Sequence, residues 1–105
     1  MKHGFIKVAA TTPKIKVADT GFNTTAIIEK ITEAYEYGAR IIVLPELCIT
    51  GYTCQDLFFN SSLLETTLYY LKELRDFSKR NSILMVVGAP IKISDNLYNC
   101  AVVIH

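Results

Sequence analysis

The sequence predicts an α/β domain with elements in the order β-α-β-α-β-β, its sheet parallel at first and closing on an antiparallel strand pair. Three observations predict it. Short apolar runs rich in β-branched residues recur at 5–10, 40–44, 83–87 and 97–104, each too short for a helix. Two stretches of helical periodicity lie between the first three runs, which is the pattern of βα crossovers and a parallel sheet. The last two runs are separated only by a short polar turn, so they pair as a hairpin.

The elements follow in order. Phe5-Ile6-Lys7-Val8-Ala9-Ala10 reads as a buried strand ended by Thr11-Thr12-Pro13. Residues 11–22 contain Pro13, Asp19 and Gly21 and read as a loop. Asn23, Thr24 or Thr25 can cap the first helix, because their side-chain oxygens accept from its free N–H groups. Ile27, Ile28, Ile31, Ala34 and Tyr35 form its apolar face, and Gly38 is its stop. Arg40-Ile41-Ile42-Val43-Leu44 is a central strand ended by Pro45. Asn60-Ser61-Ser62 cap the second helix, with Leu64, Leu68, Leu71 and Leu74 as its buried stripe. Ile83-Leu84-Met85-Val86-Val87 is the third strand, stopped by Gly88-Ala89-Pro90. Ser94-Asp95-Asn96 is a turn, and the fourth strand runs from Leu97 to Ile104. The apolar run Cys100-Ala101-Val102-Val103-Ile104 expects cover on both faces. Two helices are few for four such strands, so the chain reads as a fragment of a larger domain; the plainer alternative is a small domain that dimerises through the last strand.

Composition narrows the function classes. The chain has 105 residues, one small domain or a piece of one. It is 50% hydrophobic with a net charge of +1, and its Lys and Arg residues are scattered. That is no electrostatic footprint for nucleic acid or an anionic membrane surface. No segment approaches the roughly 18 apolar residues of a membrane span. Three cysteines, Cys48, Cys54 and Cys100, are an odd set with no CxxC pair. They suit neither a disulfide framework nor a structural zinc site, and reduced thiols fit a cytoplasmic setting.

One acid stands out. Glu46, in Pro45-Glu46-Leu47, lies two residues beyond Leu44 at the carboxyl end of a central strand. Open α/β sheets bind ligands there. The connection it begins is about 15 residues long, beyond the usual βα loop. Partial withdrawal from water at that place suits a general base. The plainer alternative is an acid that caps the loop or pairs with a lysine. Gly51-Tyr52 can bring backbone and a phenol to a ligand, or simply make a turn beside a half-buried ring. Gln55-Asp56-Leu57-Phe58-Phe59 can pack on the core or meet a partner domain. A nucleophilic cysteine needs a base and a cationic or helix-terminal setting. Cys100 sits inside an apolar strand, Cys48 and Cys54 have no base arranged for them, and His3 and His105 lie at opposite ends.

The block Gly38-Ala39-Arg40-Ile41-Ile42-Val43-Leu44-Pro45-Glu46-Leu47-Cys48-Ile49-Thr50-Gly51-Tyr52 resembles the first motif of the nitrilase, or carbon–nitrogen hydrolase, superfamily. Thr53-Cys54-Gln55-Asp56-Leu57-Phe58 extends the likeness toward the glutaminase domains of the glutamine-dependent NAD+ synthetase family. Val87-Gly88-Ala89-Pro90 and Leu97-Tyr98-Asn99-Cys100-Ala101-Val102-Val103-Ile104 also fit that domain's strand pair.

The resemblance implies a nitrilase-like αββα sandwich, of which residues 1–105 are the N-terminal part. It implies a Glu-Lys-Cys triad that hydrolyses glutamine, with Glu46 as general base. The lysine, the nucleophilic cysteine and the whole synthetase domain lie outside this stretch. The resemblance implies no cofactor within it; ATP, Mg2+ and deamido-NAD belong to the absent synthetase domain. Tyr52 is similar to a tyrosine beside the glutamine pocket. Asp56-Leu57-Phe58 is similar to a segment contacting other domains or subunits, and a homo-oligomer is expected. Such a fragment is expected to be inactive by itself. A stand-alone nitrilase-type amidase and a non-catalytic α/β binding module are the competing readings.

Overall fold

A computed structural model describes residues 4–51 and 61–105. The element order is β1 (Val8–Ala10), α1 (Thr20–Glu36), β2 (Ile41–Val43), α2 (Ser61–Asn81), β3 (Leu84–Ile93) and β4 (Asn96–Ile104). The sheet has the spatial order β1-β2-β3-β4. β1, β2 and β3 are parallel, and β4 is antiparallel to β3. This is the α/β topology the sequence predicts.

Stepping through adjacent parallel strands in one direction fixes the side of both crossovers. Right-handed connections then place both helices on the same face. On that face Ile27 and Ile31 of α1 and Leu74 of α2 meet Ile42, Met85, Val87 and Ile104, all buried. Burial of each large aliphatic side chain contributes about 1.5–3 kcal/mol. The opposite face is open. Val8, Val43 and Val103 point there and are 64%, 45% and 64% exposed. The expectations of a buried first strand and of cover on both faces of the fourth are therefore not met among the described residues, whose two same-sided helices cover one face.

Helix α1 begins earlier than expected. Asp19 is its N-cap, its Oδ1 accepting from Phe22 N at 3.0 Å. Asn23 and Thr24 lie inside the helix and are buried. The start was obscured because Gly21 sits in the first turn, where it is tolerated. The far end is as expected: Gly38 has φ +96, and its N–H donates to Tyr35 O at 2.9 Å.

Helix α2 starts at Ser61, with Asn60 outside the described residues. Its buried stripe is Leu63, Thr67, Leu74 and Ser78, with Leu71 partly buried against the core. Leu68, expected inside, is 50% exposed. Two hydroxyls occupy the stripe because both are satisfied locally. Thr67 Oγ1 donates to Leu63 O at 2.8 Å, and Ser78 Oγ to Ile83 O at 2.5 Å.

Strand β3 does not stop at Gly88-Ala89-Pro90 but runs through them to Ile93. Strand parity explains the tolerance of proline. Val86 O accepts from Leu44 N and Gly88 O from Ile49 N, so both turn toward the β2 side. Pro90 has the same parity, and its missing N–H points past the end of β2. The ladder to β4 keeps its donors, as proline in a sheet requires.

Candidate active site around Glu46

Leu44 extends the β2 ladder by one bond, its N–H donating to Val86 O at 2.9 Å. The chain then crosses the end of β3 on the open face. Leu47 takes φ 51, a left-handed conformation uncommon for a leucine. The turn closes with Gly51 N donating to Leu47 O at 2.7 Å. Gly51 is thus a turn glycine, with φ +87.

Two clamps hold this turn. Gly88 lies directly beneath it. A Cβ there would stand 2.2 Å from Leu47 N, 2.5 Å from Pro45 O and 2.7 Å from Glu46 C. Only a glycine leaves room for the backbone to pass. The Gly88 carbonyl accepts from Ile49 N at 3.3 Å. From the other side, Asn23 is fully buried and saturated. Its Nδ2 donates to Ile49 O at 2.7 Å and Lys16 O at 2.8 Å, and its Oδ1 accepts from Lys16 N at 2.7 Å. Ala18 N adds a bond to Thr50 O at 2.8 Å. Gly88, expected as a strand stop, and Asn23, expected as a cap, instead fix the turn that bears the acid.

Glu46 is exposed, not partly withdrawn from water as expected. Its orientation comes from a hydrogen bond: Asn99 Nδ2, on β4, donates to Glu46 Oε1. A cavity of about 300 Å³ opens beside it. One wall is Pro13, Ile15 and Val17, and the other is the turn from Pro45 to Cys48. Parallel-strand ends, an oriented carboxylate and a partly apolar recess therefore coincide.

Cys48 neighbours the acid in sequence but not in role. It is buried, and its thiol donates to Gly88 O at 3.7 Å. Burial pushes its pKa from the ordinary 9.0 to about 11, against smaller opposing effects of the backbone at Gly88 and Cys48. This is the environment of a structural thiol. Cys100 is half-buried on β4, opposite buried Ala89. His105 follows Ile104, which pairs with Met85 near the start of β3, and so sits at the end of the sheet away from Glu46. Tyr52, Cys54 and the stretch 55–59 lie outside the described residues, as does His3.

A sheet that turns from parallel to antiparallel, with an acid placed at the end of β2, is the nitrilase-like α/β fold. The chain belongs to the carbon–nitrogen hydrolase family, whose model matches residues 7–105. It is 35% identical to the glutamine-dependent NAD(+) synthetase of Mycobacterium tuberculosis over 104 residues, 99% of this chain and 15% of that protein. It is 32% identical to a nitrilase of Pyrococcus abyssi, covering 94% of this chain and 38% of that protein. Among solved structures, the glutamine-dependent NAD(+) synthetase of Cytophaga hutchinsonii superimposes with a TM-score of 0.86 at 32% identity. That alignment covers 94% of this chain and 17% of the other. The chain spans about a sixth of the synthetases it matches.

Proposed function

We propose that residues 1–105 are the front of the glutaminase domain of a glutamine-dependent NAD+ synthetase, with Glu46 as the general base. The observation that carries this is the acid itself. Glu46 is seated at the carboxyl end of β2 by Gly88 beneath it and Asn99 beside it. Likeness along nearly the whole chain to synthetases supports the parent enzyme.

In this reading a cysteine beyond residue 105 gives its thiol proton to Glu46. The thiolate adds to the side-chain amide carbon of glutamine, and a lysine stabilises the oxyanion. The C–N bond then breaks, with Glu46 returning the proton to the departing ammonia. Water hydrolyses the resulting thioester to glutamate. A synthetase domain uses ATP and the ammonia to amidate deamido-NAD. The Mg2+ that accompanies ATP would be held by that other domain. Tyr52 would line the glutamine pocket, and the cytoplasm, where glutamine and ATP meet, would be the setting. The 105 residues alone would hydrolyse no glutamine.

The test is Glu46→Gln in the full-length protein. Glutamine-driven NAD formation should fall at least about 100-fold, the scale of a lost general base. NAD formation from added ammonia should persist. Loss of both activities would make Glu46 structural. The likeness to the Pyrococcus abyssi nitrilase favours a second reading, a single-domain amidase. A reading frame that stops after one nitrilase domain, in a protein hydrolysing small amides without ATP, would establish it.

A further inference from the structure

The acid's seat has two parts with different duties. Gly88 makes room for the backbone, and Asn99 chooses the direction of the carboxylate. We propose that Asn99 is a positioning residue: it holds one oxygen of Glu46 so that the other faces the proton to be removed. This rests on the reading of Glu46 as the general base.

The chemistry of the pair supports it. An ionised carboxylate only accepts, so the amide nitrogen of Asn99 must face it. The bond joins residues 53 apart in sequence, so it is made by the tertiary fold. With Oε1 engaged by Asn99 Nδ2, Oε2 is the oxygen left for proton transfer. Both side chains are exposed, so neither is held by packing alone. Glu46 rises from the clamped turn next to left-handed Leu47, and the backbone of Asn99 is fixed in a ladder registered from Met85↔Ile104 to Ile93↔Asn96. The bond between the two side chains therefore sets the direction of the carboxylate.

Register also fixes where the donor appears. Gly88 pairs with Ala101, and Pro90 with Asn99. By parity these side chains share the open face with Val86 and Val103. Gly88 and Ala101 form a low saddle for the backbone of the turn. One step further along β4, about 7 Å on, Asn99 rises beside the saddle at the height of the carboxylate. A glutamate placed over such a saddle without that donor would keep its full rotamer freedom.

The experiment uses the full-length protein with Asn99→Asp, which keeps the shape but removes the donor and adds a like charge, and Asn99→Ala. Glutamine-driven kcat should fall about 10- to 100-fold with KM changed less than about threefold, the pattern of a misplaced catalytic group. Ammonia-driven NAD formation should be unchanged. In single-turnover assays at high enzyme concentration, Asn99→Ala should add little loss to a Glu46→Gln protein, because Asn99 acts through Glu46. Full additivity of the two losses, an equal loss of ammonia-driven synthesis, or wild-type kcat in Asn99→Asp would each overturn the proposal. If Glu46→Gln itself retains glutamine use, the parent reading fails instead.

Discussion

Gly88→Ala should disturb the site more than a Cβ added at any other described glycine. The new Cβ would stand 2.2 Å from Leu47 N and 2.5 Å from Pro45 O. Both are backbone atoms and cannot rotate away. Ordinary contact is about 3.5–4 Å, so the turn must lift by more than about 1 Å. Lifting breaks the Ile49 N to Gly88 O bond, now 3.3 Å, a loss of about 1 kcal/mol. Overpacking adds about 1–3 kcal/mol. Replacing a strand glycine returns about 0.5–1 kcal/mol through the unfolded chain. The net destabilisation is about 1–3.5 kcal/mol. Denaturant unfolding of the isolated chain should show it as a lower midpoint with an unchanged slope. In the full-length protein a displacement of that size at Glu46 should cost about 100-fold in glutamine-driven kcat, with ammonia-driven synthesis intact. A Gly88→Ala protein with wild-type stability and wild-type glutamine use would refute the close-approach argument.

Two further outcomes follow from the same region. Asn23→Ala removes a fully buried amide whose bonds tie Lys16 to Ile49. It leaves backbone groups unpaired, so stability should fall by about 2–4 kcal/mol in urea. Cys48, its pKa raised to about 11, should resist alkylation by iodoacetamide at pH 8 until the chain unfolds. Since the unfolded thiol loses its proton first, at an ordinary 9.0, stability should decline as pH rises from about 9 toward 11. The decline is at most about 2–3 kcal/mol, and Cys48→Ala should flatten it.

Much of the fold was legible because hydrophobic periodicity reports burial. The runs at 40–44 and 83–87 became β2 and the front of β3, and Gly38 ended α1 as its left-handed φ requires. What escaped were features in which polar or small residues do structural work. Thr67 and Ser78 are buried because local carbonyls satisfy their hydroxyls, so a search for leucines set the α2 stripe off by part of a turn. Pro90 looked like a strand stop because its parity relative to β2 exists only once the sheet is assembled. At the site, the position of Glu46 beyond a strand was visible from one segment. Its seat was not, because Gly88 and Asn99 act across 42 and 53 positions of sequence. Asn99 lies inside the Leu97 to Ile104 motif, and its role there depends on register.

The hairpin has a consequence for the order of assembly. β3 and β4 join through two residues, Ser94 and Asp95, so their closure is local, on the scale of about 1–10 μs. The β1–β2 and β2–β3 pairings must wait for whole helices to form and dock, the slower, nonlocal route. Both parts of the acid's seat, the Gly88 saddle and the Asn99 donor, belong to that hairpin. If local closure leads, the mould is cast before the glutamate reaches it, and the left-handed Leu47 turn is laid onto a surface already shaped to receive it.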